Sequence, residues 1–144
     1  MQPFPHHYTS KISGQESGHL LSQSPSCPDL HVAEPKEFGG NGEAWSPEQL
    51  FVTTVASCLI LTFRVIAKAS KFTWKDISCD AQGKLDRVDG ANQFTHIDIS
   101  VSLAINSEDD LKKAHRILTK AENQCLVKNS ICSEVNFKNE IIVC

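Results

Sequence analysis

The sequence predicts an α+β fold in which antiparallel sheets surround a long, buried central helix. An uncharged apolar stretch fills residues 50–63 and is long enough for a buried helix. Residues 76–88 and 94–105 alternate apolar and polar side chains, which is the period of a β-strand. A second amphipathic pattern and a last alternating segment follow. The resulting order, βββ–α–ββ–α–β, is typical of the α+β class.

Length and composition fit one soluble domain over residues 1–144. The chain is 40% hydrophobic and 22% charged, with a net charge of −3, so a substantial core is expected and nucleic-acid binding is not. Its N-terminus has neither the positive start nor the apolar core of a secretory signal. The uncharged run is short for a bilayer span. We therefore expect a cytoplasmic protein with no membrane partner.

The first part of the chain is predicted to contain short strands and one glycine-rich loop. Turn residues separate three candidate strands at 8–13, 19–22 and 30–33. Residues 34–43 contain three glycines and four charged side chains, and no periodic pattern runs through them. This segment is predicted to be a loop of the kind that shapes a site.

The first helix has a clear start in the sequence. Ser46 suits the N-cap, Pro47 the first helical position, and Glu48 the first turn, where a carboxylate faces the positive end of the helix dipole. We expect the helix to run to about residue 71. Apolar residues cover nearly all of its circumference between 50 and 66, which predicts burial on most sides and a contribution to the core of an oligomer.

A hairpin, a second helix and a final strand are predicted after the first helix. The two alternating segments are joined by a turn at 89–92. Residues 107–110 cap the second helix, whose apolar residues recur at helical spacing up to Cys125. Residues 135–143 alternate again and predict the last strand.

The six cysteines are expected to be free thiols. A disulfide framework is rare in a cytosolic chain of this size, and no spacing typical of zinc ligands occurs, so no metal is expected. Free cysteine packs as a small hydrophobic residue. That interpretation is favoured for four of the six, Cys27, Cys79, Cys132 and Cys144.

Cys58 and Cys125 are the candidates for a reactive pair. Cys58 lies too far into its helix for the dipole to acidify it, and burial alone would make its thiol inert. On the residues alone, packing is therefore the favoured role of Cys58. However, Cys125 ends the second helix on its apolar side, so a helix–helix contact could join the two sulfurs. Glu48 is roughly 15 Å from Cys58 along the axis, a separation that an antiparallel helix from a second subunit would remove.

Two motifs, one around each cysteine, match those of a known family. SPEQLF at 46–51, followed by VASCL at 55–59, looks like the N-P-E-[EQ]-L…A-x-C segment of the OsmC/Ohr proteins, the osmotically inducible and organic hydroperoxide resistance proteins. AENQCLVKNS at 121–130 is similar to their A-E-x-x-C-P-V/Y-S-N segment. The resemblance covers nearly the whole chain and is weakest over the first thirty residues.

The resemblance implies an intertwined homodimer with two interfacial sites, and a thiol-dependent peroxidase that reduces organic hydroperoxides to alcohols. Cys58 would be the peroxidatic cysteine, and Cys125 would resolve its sulfenic acid as a disulfide. An external dithiol, a lipoyl protein in the Ohr branch, would reduce that disulfide. No metal, flavin or haem cofactor would be needed. We expect an apolar substrate pocket lined by Phe38, Phe51 and Val55.

The sequence departs from the family pattern at several positions. Lys36 falls where the resemblance implies an arginine that holds the thiolate and is oriented by the counterpart of Glu48. Lysine supplies the charge but lacks the planar fork of arginine. Leu126 and Lys128 also differ from the second motif, although both sulfurs are retained.

Three interpretations of the whole chain follow. A peroxidase is favoured. The alternative is a non-enzymatic redox-sensing or small-ligand-binding protein with weakened or lost activity. The third is a plain dimeric domain with packed cysteines.

Overall fold

Three short strands form the first sheet of the structure, a computed structural model that describes residues 2–144. β1 (Lys11–Ser13), β2 (Leu20–Gln23) and β3 (Leu30–Val32) pair antiparallel in that order. The three predicted strands are confirmed, the first beginning at Lys11 rather than at residue 8. They belong to a compact unit that ends at Leu50, and a second unit spans Phe51–Cys144. A single domain over residues 1–144 stays a prediction.

The first helix, α1 (Pro47–Ala69), begins with the predicted cap. The backbone N–H of Gln49 donates to Ser46 Oγ at 3.2 Å, and the N–H of Ser46 donates to Gln49 Oε1 at 3.0 Å. This reciprocal pair is a capping box, which satisfies two amides at the start of the helix. Pro47 occupies the first position and Glu48 lies in the first turn, as predicted.

Only one face of α1 is buried in the single chain. Leu61 and Val65, on the opposite face, are 55% and 65% exposed. The predicted burial on most sides is therefore wrong at the level of one chain, because the sheet and the second helix pack against one side of α1. The buried residues of α1 recur at helical spacing and are Val55, Leu59, Phe63, Ile66 and Ala67.

By length and composition alone, α1 could cross a membrane. It has 23 residues, more than the uncharged run at 50–63, and an 18-residue window reaches a mean hydropathy of 2.1. The core helix of a soluble protein has the same properties. The buried face of α1 joins one hydrophobic cluster with the second sheet and the second helix, and 28% of that window is buried in the single chain.

The second sheet has the order β4–β5–β6, with β4 (Asp76–Val88), β5 (Ala91–Ile105) and β6 (Glu134–Val143). A tight turn at Asp89 and Gly90 joins β4 to β5 as an antiparallel hairpin. β6, in contrast, runs parallel to β5. The α+β class is confirmed, but this sheet is mixed rather than purely antiparallel. The reason is that α2 (Leu111–Gln124) connects the two strands as a crossover and returns the chain to the edge where β5 begins.

The core of the second unit lies between α1, α2 and the inner face of this sheet. The odd-numbered residues of β5 from 97 to 105 are buried, as the alternation predicts. α2 contributes Ala114, Ile117, Leu118 and Ala121, and Cys125 stands at its C-cap. All of them belong to one cluster.

Gly83 of β4 allows α1 to approach the sheet closely. A methyl group at this position would lie 2.6 Å from Cγ2 of Val52 and 2.7 Å from Cε1 of Phe94. Both distances are well inside van der Waals contact. Phe94 in turn packs on Phe51 of α1, with ring centroids 4.9 Å apart.

We predict that Gly83→Ala lowers the free energy of unfolding by about 1–3 kcal/mol, because the new methyl group overpacks the contact between helix and strand. Urea denaturation of the variant and of the wild type would measure the difference. Gln82→Ala, at the exposed neighbouring position, is the matched control. Equal stabilities of Gly83→Ala and the wild type would contradict the close approach.

Candidate active site

Cys58 and Cys125 are neighbours in the structure. The Sγ of Cys125 lies 4.0 Å from the carbonyl oxygen of Val55, one turn before Cys58, and Cys58 packs against the core cluster that contains Cys125. Both cysteines are free. Cys125 is 1% exposed, whereas Cys58 is partly exposed. The structure thus brings together the two residues that the sequence singles out.

Contacts at both ends of α2 hold it beside α1. Near the start of α2, Lys113 Nζ donates to the carbonyl of Lys71 at 3.5 Å and lies 5.6 Å from the ring centroid of Phe72. At its end, Cys125 reaches Val55 in the middle of α1. α2 therefore runs antiparallel to α1, and its C-cap thiol is placed against the helix that carries Cys58.

The turn after Cys125 is braced by local hydrogen bonds. The backbone N–H of Asn129 donates to the carbonyl of Cys125 at 3.0 Å. The side-chain amide of Asn129 donates to the carbonyl of Asn123, also at 3.0 Å. Ser130 Oγ donates to the carbonyl of Leu126 at 2.8 Å. The bond to Asn123 satisfies one of the free carbonyls in the last turn of α2, and the other two bonds fix the backbone of the turn that follows the buried sulfur.

An ion pair and two amides add to this brace. Lys128 Nζ lies 3.3 Å from Glu122 Oε1, with side chains 23% and 26% exposed. The backbone amides of Val127 and Lys128, in the same turn, lower the pKa of the Cys125 thiol. The sequence shows Lys128 only as a departure from the family motif, and the pair was not predicted. Glu122 and Lys128 are six residues apart, a spacing that does not predict a contact within a continuous helix. The pair becomes possible because α2 ends at Gln124 and the chain turns back.

The surroundings of Cys125 act on its acidity in both directions. Burial is the largest effect and raises the pKa of the Cys125 thiol above its ordinary value. Hydrogen bonding and charge at Cys58 raise this pKa further, while the amides of Lys128 and Val127 lower it. The net direction is upward, so Cys125 is a protonated thiol at neutral pH.

Aromatic side chains flank Cys58 along α1. Phe51, seven residues before Cys58 on the same helical face, is half-buried and packs on Phe94. Val55 is fully buried, and its side chain belongs to the core. Of the two predicted pocket residues in this unit, only Phe51 is therefore placed to line a surface beside Cys58.

Phe94 was not predicted here, because a bulge reverses the alternation of β5. Lys84 pairs with His96, but the next residue, Leu85, pairs with Phe94. Thr95 is therefore an extra residue in the strand. Such a bulge turns the preceding side chains to the other face, and Phe94 joins the inner face although its even number predicts the outer one.

Three of the predicted site residues belong to the first unit, namely Lys36, Phe38 and Glu48. Lys36–Phe38 forms a single 3-10 turn, in which Phe38 is 54% exposed. The stem of Lys36 lies against Gly42. A side chain at Gly40 would overlap the carbonyl of Glu34, so the predicted loop has a close backbone crossing that requires glycine at this position.

Glu48 has a buried oxygen without a donor. Its Oε2 is inaccessible to solvent and accepts no hydrogen bond within the described chain. Among residues 2–144, neither Glu48 nor Lys36 takes part in an ion pair. A buried carboxylate oxygen without a hydrogen bond lowers the stability of the fold. We therefore expect a hydrogen-bond donor to reach Glu48 Oε2 in the functional protein.

The other four cysteines differ from this pair in their surroundings. Cys27, Cys132 and Cys144 are exposed, and Cys79 is half-buried on β4. Burial, and secondarily the charge of Asp80, raise the pKa of the Cys79 thiol. Within residues 2–144, no three histidine, cysteine or acidic side chains are grouped so that they could hold a metal ion.

The sequence matches a family model and one curated relative over most of its length. Residues 40–140 match the model described as OsmC-like protein. An uncharacterized protein of Bacillus subtilis, YmaD, is 26% identical over 131 residues, which cover 89% of this chain and 82% of the relative.

Solved structures share the fold. An OsmC-like protein of unknown function from Vibrio cholerae superposes with a TM-score of 0.83 at 17% identity, covering 96% of this chain and 100% of that protein. A protein from Legionella pneumophila described as an organic hydroperoxide resistance protein OsmC has a TM-score of 0.72 at 26% identity. That alignment covers 98% of this chain and 100% of the Legionella chain.

We predict that the Cys125 thiol makes stability fall at alkaline pH. The raised pKa of Cys125 means that the folded protein keeps this proton to higher pH than the unfolded chain, so stability is full below the unfolded pKa of about 8.5 and is lost as pH rises toward the folded value. Urea denaturation from pH 7 to 10 should show a smaller decline for Cys125→Ser than for the wild type. Cys132→Ser, at an exposed position, is the control, and identical declines for all three proteins would refute the prediction.

Proposed function

The chain belongs to the OsmC-like family, which includes organic hydroperoxide resistance proteins, and from this premise we propose that it is a thiol-dependent peroxidase reducing organic hydroperoxides to alcohols. Cys58 is the peroxidatic residue and Cys125 the resolving one. The observation that carries the proposal is that a partly exposed thiol, Cys58, packs against the cluster that contains a buried one, Cys125, whose sulfur lies against the helix that carries Cys58. This arrangement gives an oxidant access to one sulfur and keeps the second sulfur beside it.

The chemistry balances with these two sulfurs and an external dithiol. The Cys58 thiolate attacks the terminal oxygen of the hydroperoxide, the O–O bond breaks, and the alcohol leaves with a proton. The resulting sulfenic acid condenses with the Cys125 thiol to give a disulfide and water. Because the fold already holds the two cysteines near each other, disulfide formation requires little further loss of conformational entropy. A dithiol, such as that of a lipoyl protein, then restores both thiols.

A homodimer is the assembly that this proposal requires. Leu61 and Val65 leave an apolar strip of α1 exposed in the single chain, and such a surface is typical of a protein–protein interface. An antiparallel copy of α1 would cover it. The donor that the buried oxygen of Glu48 calls for fits a site completed by two subunits.

Lys36 is proposed as the cation that stabilises the Cys58 thiolate and the developing alkoxide. Glu48 is proposed to orient the positive group. Phe38 and Phe51 line an apolar pocket for the alkyl group of the substrate, with Phe94 extending the surface next to Phe51. These steps require no metal, flavin or haem, and the cytoplasm is the expected location.

A second candidate function is a redox sensor or small-ligand binder on the same fold. It keeps a reversible disulfide between the two cysteines without appreciable turnover. The observation that favours it is Lys36, which lacks the planar fork of arginine and makes no ion pair with Glu48 within the described chain. Peroxide consumption separates the two functions.

We predict that Cys58→Ser abolishes dithiol-dependent consumption of cumene hydroperoxide. Cys125→Ser should still oxidise Cys58 once, but it should lose sustained turnover and accumulate sulfinic acid, because no second thiol traps the sulfenic acid. Cys132→Ser is the control for a general cysteine effect. Wild-type protein that forms the disulfide without consuming peroxide catalytically would favour the sensor.

Position 36 gives a second test. Lys36→Met should lower kcat/KM for cumene hydroperoxide by about tenfold or more, because one partly desolvated charge contact is worth about 1.5–3 kcal/mol. Lys36→Arg should retain or raise the activity. Lys11→Met, on strand β1, controls for the loss of a surface charge. Wild-type activity in Lys36→Met would remove this residue from the mechanism.

A further inference from the structure

We propose that the Cys58–Cys125 disulfide opens in one direction: the external thiol attacks Cys58 Sγ, and Cys125 leaves as the thiolate. This inference rests on the proposed function, since that function forms the disulfide in each cycle. Two features of the described structure carry it, namely the unequal exposure of the two sulfurs and the ion pair that holds the turn after Cys125. The effect of the amides in that turn on the Cys125 thiol supports it.

Access decides which sulfur is attacked. Thiol–disulfide exchange requires the attacking sulfur to approach a disulfide sulfur from the side opposite its partner, and the rate depends on access to it. Cys125 is 1% exposed and lies against the carbonyl of Val55, so the approach to it runs through packed protein. Cys58 is partly exposed. A second subunit over the exposed strip of α1 would leave Cys125 buried, and the opening that the proposed function requires for a hydroperoxide at Cys58 also admits a slender dithiol.

The leaving sulfur is stabilised where it departs. The backbone amides of Val127 and Lys128 lower the pKa of the Cys125 thiol, because they favour its ionised form. Hydrogen bonds to an ionised acceptor are about twice as strong as those between neutral groups. These donors therefore favour Cys125 most at the moment when the disulfide breaks, and a better-stabilised leaving thiolate departs faster.

Lys128 acts through these amides and is a positioning residue. Its ion pair with Glu122 ties the turn after α2 to the last turn of the helix, on either side of Cys125 in the chain. The bond from Asn129 to the carbonyl of Asn123 is a second tie across the same turn. Loss of the Lys128 charge should loosen the turn and weaken the donation to sulfur.

The exchange is balanced in thiols and protons. The attacking thiolate forms a mixed disulfide with Cys58, and the Cys125 thiolate takes up the proton that the attacking thiol gave up. The second thiol of the reductant then attacks the outer sulfur of the mixed disulfide. This step releases Cys58 as the thiolate and the reductant as its own disulfide.

A monothiol makes the direction visible, because it cannot complete the second step. The protein is oxidised with diamide, desalted, treated with excess glutathione, quenched in acid, alkylated and mapped by peptide mass spectrometry. We expect glutathione on Cys58 at least about tenfold more often than on Cys125, whose thiol should carry the alkyl group. Equal labelling, or labelling mainly of Cys125, overturns the proposal, and so does the failure of diamide to form this disulfide.

A parallel oxidation with cumene hydroperoxide separates this proposal from the proposed function. If diamide gives a disulfide that opens at Cys58 while the hydroperoxide gives none, the peroxidase fails and the direction of exchange stands. If the hydroperoxide forms the disulfide but glutathione is found on Cys125, the peroxidase stands and the direction fails.

The role of Lys128 is tested by the rate of disulfide opening. Lys128→Met should slow the reaction with glutathione by about threefold to tenfold, and Lys128→Arg should restore it, because arginine can keep the pair with Glu122. Lys120→Met, on the exposed face of α2, is the matched control. The rate at which peroxide oxidises Cys58 should be unchanged in Lys128→Met. A general loss of structure would lower this rate as well. An unchanged opening rate, or an equal loss in Lys120→Met, removes the positioning role.

Discussion

The packing of the end of α2 against the middle of α1 is the contact on which the candidate site depends. It brings Cys125 to the carbonyl of Val55 at 4.0 Å and into the cluster against which Cys58 packs. The contact is made possible by the crossover from β5 to β6, which lays α2 antiparallel along α1. Without that crossover the Cys125 thiol would not lie beside α1, and neither the proposed disulfide nor its proposed opening could occur.

The two sulfurs have different surroundings and therefore different roles. Cys58 is partly exposed and packs against the apolar core, on the helical face that also carries Phe51. Cys125 is enclosed, and burial raises the pKa of its thiol. In the proposed cycle, oxidant and reductant both react at the Cys58 sulfur, and Cys125 forms and releases the disulfide.

Much of the fold could be predicted from the sequence, because its signals are local. The cap at Ser46, the inward face of β5 and the end of α2 near Cys125 each follow from a few neighbouring residues. The parallel pairing of β6 depends on the path of α2 through space, which no local pattern encodes. The predicted burial of α1 on most sides is wrong for a related reason. Hydrophobic residues indicate that a helix face avoids water, but they do not indicate whether the same chain or a second chain packs against it.

The candidate site was predictable in its sulfurs and less so in its supports. Cys58 and Cys125 stand out through the motifs around them. The pairing of Lys128 with Glu122 depends on where α2 ends and how the chain turns, and the burial of Val55 depends on the direction from which the sheet approaches. The family resemblance assigns roles to Lys36, Phe38 and Glu48, and those roles remain proposals.

The bulge at Thr95 has a consequence for how relatives of this chain are aligned. One inserted residue, rather than any particular side chain, decides whether the aromatic ring at the start of β5 lies under α1 or points to solvent. Deleting Thr95 would leave every side chain's chemistry intact and still rotate Phe94 out of the interior. An alignment that places a gap freely in this hairpin would therefore equate residues on opposite sides of the sheet, and gap position matters here more than percentage identity.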